Sequence, residues 1–229
     1  MTFWIVPLLL IIPTMLLIPE LKKLPLAPSL ARPDAKKQIV AVLVAIAALA
    51  LFQAGASHVG RWPSLNILLI AIVSLSAAAW ATTTLMPKGF LRIAQGIPAV
   101  VGMRGVVAGA FFAAEIYVPL ALQEIRGVSV ALSGGVLTAA TITWFAGSWL
   151  QGSDRLKLSR EQILMIGVLM AAFGIALIPI AVFVPNSIGM SALLASLVWG
   201  VSAFGMGICF PTLGVLLLDK SAEEEHARN

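Results

Sequence analysis

Long apolar runs alternate along this chain with short polar stretches. Within each run the apolar positions are continuous rather than alternating. Seven runs predict seven spanning segments, at about 3–19, 38–56, 65–86, 99–122, 129–151, 162–184 and 190–218. Each is close to the ~17–25 apolar residues needed to cross a bilayer core, and the last is longer. Period-two strands of a barrel are excluded by the unbroken runs. In lipid, backbone groups must bond within their own segment, so the spans are helices. The first run is the shortest and carries Pro7, Pro13 and Pro19. No basic region precedes it, so it reads as a spanning helix that begins abruptly, not as a secretory signal.

The connecting stretches predict orientation. Loop 20–37 holds Lys22, Lys23, Arg32, Lys36 and Lys37, and loop 57–64 holds only Arg61. Loop 87–98 holds Lys88 and Arg92, with Arg104 just beyond, whereas loop 123–128 holds only Arg126. Loop 152–161 holds Arg155, Lys157 and Arg160, loop 185–189 no charge, and the tail Lys220 and Arg228. Alternate connections thus collect 13 basic residues on one side and 2 on the other. The basic side is expected to be cytoplasmic, which puts the start of the chain outside and the tail inside. Pro25, Pro28 and Pro33 make 20–37 an extended linker. The 87–98 segment is amphipathic and expected to lie at the interface, anchored by Lys88 and Arg92.

Composition agrees with the pattern. Hydrophobic residues are 60% of the 229, charged residues 11%, and mean hydropathy is +1.01. A soluble domain of this length could not hide so much apolar surface. The expectation is an all-α integral membrane protein. Its net charge of +5 is explained by the loops and does not point to nucleic acid. A single cysteine, Cys209, allows no internal disulfide, and His58 and His226 both lie outside the spans. No metal cluster, cofactor motif, phosphate-binding glycine loop or enzyme constellation is visible, so neither catalysis nor a built-in ATPase is expected.

The spans differ in character. Those at 38–56 and 65–86 carry no charge. Gly134 and Thr138, Gly135 and Ala139, Gly167 and Ala171, and Gly205 and Cys209 are each four apart, a spacing that lets helix backbones approach closely. The last span adds Gly200, Gly207, Pro211 and Gly214. Gly205, Gly207 and Pro211 are candidates for a break or bend near Phe210. Such breakers either border a substrate path or serve as packing glue.

The chemistry concentrates between Arg104 and Glu115. A carboxylate near the centre of a spanning helix costs roughly 2.5–3.5 kcal/mol on insertion scales. Eleven residues place both charges on one helix face, about 16 Å apart along the axis, too far to pair. Arg104 is near the cytoplasmic end and can snorkel. Glu115 is past the middle. Burial disfavours its charged form, and a carboxyl that gains and loses a proton suits a proton-coupled carrier. The same residue would attract lipophilic cations. It could equally be a structural carboxylate bonded to a neighbouring helix or one kept wet at the outer interface. Tyr117, the only tyrosine, points elsewhere on the helix.

The stretch from Gly147 to Arg160 joins two spans through Gly152, Asp154, Arg155, Lys157 and Arg160. It resembles the Gly-x-x-x-Asp-Arg-x-Gly-Arg-Arg-like loop of the major facilitator superfamily, in degenerate form. Asp154 follows Gly152 by two positions rather than four, and the later glycine is missing. Its placement, between the second and third spans counted from the Glu115 helix, matches that family. Arg104-Gly-Val-Val-Ala-Gly through Pro119, Ser133-Gly-Gly and Gly205-Met-Gly-Ile-Cys-Phe-Pro also look like the second half of fourteen-span drug-efflux members.

The resemblance implies that residues 1–19 form the last helix of an amino-terminal half. Residues 20–98 would hold a linker and two extra helices, and 99–229 the first four helices of the carboxy-terminal half. Five preceding and two following helices of the family would lie outside this chain. It further implies proton-coupled efflux of lipophilic or cationic small molecules across the plasma or inner membrane, by alternating access. Glu115 would be the substrate or proton site and Asp154–Arg155 a cytoplasmic latch. The competing expectations are a seven-span receptor and a fragment that transports nothing. Against a retinal receptor, the last span lacks a lysine, and no cysteine pair staples the outer loops.

Overall fold

A computed structural model of the chain describes residues 13–15, 17–19, 35–153, 157–184 and 187–220. The fold is all-helical over these residues, and six helices are long and apolar enough to span a membrane. They are α1 (Ala35–Ser57), α2 (Ser64–Leu85), α3 (Ile97–Arg126), α4 (Val130–Gln151), α5 (Arg160–Phe183) and α6 (Ile188–Lys220). They coincide with six of the seven expected spans. Of the expected first span, residues 13–15 and 17–19 are helical and the rest lies outside the described residues. The chain divides into two units, Met1–Thr84 and Leu85–Asn229.

In the first unit, α1 and α2 are joined by a turn in which His58 stacks on Trp62, ring centres 4.2 Å apart. Ala41, Ala48 and Gly55 are the buried residues of α1 and recur every seventh position. Small side chains at that repeat make a flat seam, and a Cβ on Gly55 would lie 2.7 Å from Ile70 of α2.

The second unit is organised around α6. In α6 61% of the apolar window is buried, against 22% in α4 and α5 and 17% in α3. Helices α4 and α5 each pack along α6 and hardly touch one another. The seams are made by glycine. A Cβ on Gly174 of α5 would lie 2.6 Å from the Ser202 nitrogen, and one on Gly167 2.8 Å from that of Cys209. The Ser202 hydroxyl crosses this seam and donates to the Ala171 carbonyl at 2.9 Å. On the other side of α6, a Cβ on Gly207 would lie 2.9 Å from the Ser148 nitrogen of α4. Gly167–Ala171 and Gly205–Cys209 are therefore real contact pairs. Gly134 and Gly135 are not: both are exposed, and a Cβ on either meets nothing within 4 Å.

Helix α6 runs as one continuous helix from Ile188 to Lys220 with Pro211 inside it, so Gly205, Gly207 and Pro211 do not interrupt it. Gly205 and Gly207 are buried in the two seams, which is the packing role. Pro211 lacks the N–H that the Gly207 carbonyl would receive one turn earlier. The Ser148 hydroxyl donates to that carbonyl instead, at 3.1 Å.

Helix ends also follow local chemistry. Helix α3 runs one turn past the expected 122, through Gln123, Glu124 and Arg126, since charge ends a membrane span but not a helix. It stops at Gly127, whose φ of 67 is the left-handed conformation glycine tolerates. The Val128 N–H returns to the Leu122 carbonyl at 3.0 Å, and both side chains are buried. Helix α5 opens with a reciprocal cap between Ser159 and Gln162.

Candidate functional site

Helix α3 presents Phe111, Val118 and Leu122 to the core. Glu115 is one turn beyond Phe111 and one before Val118, at the edge of this same stripe, and is half-buried. Its carboxylate makes no hydrogen bond or ion pair with any described residue. Pro119, four positions on, cannot donate to the Glu115 carbonyl, so the helix ladder also loses its bond at this residue. A negatively charged side chain and a main-chain acceptor thus lie without helical partners at one level of an apolar helix.

A row of aromatic rings includes Phe111, one turn before Glu115 in the same helix. Phe111 stacks on Trp199 of α6 with ring centres 4.6 Å apart and planes 16° from parallel. Its ring also meets Trp144 of α4 edge-on at 5.3 Å. Trp144 in turn lies 6.2 Å from Phe210 of α6. The Arg104 guanidinium lies 4.6 Å over the Phe210 ring. Three helices therefore supply one continuous row, with the Arg104 guanidinium seated on its Phe210 end. The faces of such rings are negative and attract cations, Trp most strongly. Trp199 is fully buried, and its indole Nε1 has no acceptor among the described residues.

Arg104, expected only to snorkel, is half-buried with its guanidinium over the Phe210 ring. At the opposite end of α3, the Arg126 Nε donates to the Ser191 hydroxyl of α6 at 2.8 Å. Gln123 donates to Ser133 of α4 at 3.0 Å. These contacts tie the α3 end to α4 and α6.

The loop candidates separate. Gly147 is inside α4, buried against Phe204 and Gly207 of α6. Gly152 caps the end of α4, its N–H returning to the Ser148 carbonyl. Asp154 and Arg155 lie outside the described residues. Arg160 is the first residue of α5 and forms an ion pair with Asp219 near the end of α6. Both partners are about half-exposed, so the pair clips two helix ends in a wet setting. Among the described residues no group of acidic, histidine or cysteine side chains could hold a metal ion.

A hollow of about 370 Å³ lies in the first unit, lined by Trp62, Asn66, Leu69 and Ile70. It is open and nearly all apolar, and no titratable side chain lines it. The aromatic row was not anticipated from the sequence. A usable signal was present: Trp144 and Trp199 lie well inside their spans, whereas tryptophan in membrane helices concentrates at the interfaces.

No family model matches the chain, and no curated protein or solved structure gives a significant match.

Proposed function

We propose that this chain is part of a secondary transporter of the major-facilitator type. In this reading it contributes the end of one half, two extra helices and the opening helices of the other. The transporter exports lipophilic or cationic small molecules through the cell membrane in exchange for protons. Alternating access exposes Glu115 to one side and then the other. The basic loops face the cytoplasm, and Asp154–Arg155 latches the cytoplasmic side. The bilayer, a small-molecule substrate and protons are its partners.

One observation carries the reading: Glu115 is a half-buried carboxylate in the middle of a spanning helix with no counter-charge among the described residues. A structural carboxylate would be expected to show a partner, since burial of a lone charge is costly. A carboxylate that must alternate between a proton and a cation has to remain free of a fixed counter-charge. The Arg104 guanidinium over Phe210 is one cation already resting on this row of rings. Ionised Glu115 would hold the substrate cation, and protonation would release it.

The test is Glu115→Gln in cells expressing the full gene product. Efflux of a lipophilic cation dye and substrate-driven proton flux should both be lost, while Glu115→Asp retains part of each. Unchanged resistance together with unchanged proton flux in Glu115→Gln overturns the reading.

A further inference from the structure

Two groups of opposite hydrogen-bonding type in the second unit have no partner among the described residues. The Glu115 carboxylate is an acceptor that meets no donor there. The Trp199 indole N–H is a donor that meets no acceptor there, and it is fully buried. An indole nitrogen can only donate. A buried donor left unmatched is destabilising, and in native proteins such an orphan needs an explanation.

The helix register brings the two to the same depth. Helices α3 and α6 touch at both ends, through Arg126 with Ser191 and through Arg104 with Phe210. Glu115 lies midway between Arg104 and Arg126, eleven residues from each. The corresponding midpoint of α6, between Ser191 and Phe210, falls at Gly200 and Val201. Trp199 is the adjoining residue. Its ring is stacked on Phe111, which precedes Glu115 by one turn on the same face of α3.

The serine and threonine hydroxyls of α4 and α6 near this level are engaged. Thr138, Thr141 and Thr143 of α4 donate to carbonyls of their own helix. Ser196 does the same in α6, and Ser202 donates to Ala171. Apart from Tyr117, two residues on in α3, titratable and charged groups lie well away along their helices. Helix α4 contains none. Helix α5 has Arg160 and Glu161 in its first turn only. Helix α6 has Cys209, and Asp219 and Lys220 at its end. On α3 itself the others are Arg104, Tyr117, Glu124 and Arg126. Cys209 is buried in the α5 seam.

We propose that Trp199 is a positioning residue for Glu115, its indole N–H donating to the Glu115 carboxylate when that group is ionised. A change of Glu115 rotamer toward α6 makes the bond. Protonation of the carboxyl weakens it, because a charged acceptor binds a donor more strongly than a neutral one. The pair then converts the charge on Glu115 into a contact between α3 and α6. This rests on the carrier reading only for its purpose in a cycle; the bond itself can be read without transport.

The test is a pH titration of the protein in lipid nanodiscs with the six tryptophans labelled at the indole nitrogen. One indole N–H resonance should move in step with the loss of the protonated-carboxyl infrared band assigned by Glu115→Gln. That movement should vanish in Glu115→Gln and in Trp199→Phe, and persist in Trp144→Phe. Should Trp199→Phe not fold, the comparison of wild type with Glu115→Gln decides alone. Indole resonances that ignore the carboxyl titration, or movement that persists in Glu115→Gln, overturn the proposal. A coupled titration without efflux would instead sink the carrier reading and leave the Glu115–Trp199 bond standing.

Discussion

The Ser148 hydroxyl donates across the α4–α6 seam to the Gly207 carbonyl, the acceptor that Pro211 leaves without its own helical donor. A break in one helix ladder is thus repaired by the neighbouring helix. Ser148→Ala should lower the stability of detergent-solubilised protein by about 0.6–1.7 kcal/mol, the range for bonds between membrane helices. In a Pro211→Ala background the carbonyl regains a helical donor, and the penalty for Ser148→Ala should shrink toward zero. A double-mutant cycle by denaturant unfolding measures this, and equal penalties in both backgrounds would refute the repair.

The glycine seams predict a contrast among residues that share one spacing. Gly174→Ala and Gly207→Ala each push a Cβ into neighbouring backbone and should cost about 1–3 kcal/mol or more. Gly134→Ala and Gly135→Ala meet open space and should be neutral or slightly stabilising, since alanine is the better helix former. Thermal unfolding of the four variants side by side tests the assignment.

That contrast marks how far the sequence could be read. Continuous apolar runs located six helices to within a few residues, because the bilayer demands length and hydropathy and little else. Helix ends were less legible: Arg126 lies inside α3 because the turn at Gly127, not the appearance of charge, ends the helix. Spacing showed that Gly134–Thr138 and Gly167–Ala171 were equivalent candidates. Which of them meets a partner depends on rotation about each helix axis, and the near-uniform hydropathy of these spans does not encode it. Glu115 stood out because charge in an apolar run is costly. Its aromatic surroundings did not, since Phe111, Trp144, Trp199 and Phe210 come from three helices and share no local pattern. The loop acid and base at 154 and 155 lie outside the described residues.

The ring under Arg104 should be worth more than its apolar area. Phe210→Leu keeps an apolar side chain of similar bulk but removes the π face. It should cost about 0.5–2 kcal/mol. Combined with Arg104→Gln, the two losses should be less than additive, which unfolding of the single and double variants will show.

At the other extreme, the ion pair of Arg160 with Asp219 should contribute little. Both side chains are about half in contact with solvent, and such pairs are worth ~0–1 kcal/mol. Asp219→Asn should shift unfolding only slightly, and the shift should fade as salt rises from 0.05 to about 1 M. A large, salt-insensitive loss would mean that the pair is shielded in the folded protein.

Helix α6 leaves the ribosome after the helices it holds together. Until it emerges, α4 and α5 sit in the bilayer with their glycine faces against lipid, and they have almost no surface for each other. Synthesis of its 33 residues at ~5–20 residues per second spans about two to seven seconds. During that window α3, α4 and α5 lack the helix that makes most of the packing within this unit, and they are open to membrane quality control. A stall in the codons for α6 would therefore be more damaging than one of equal length in α4.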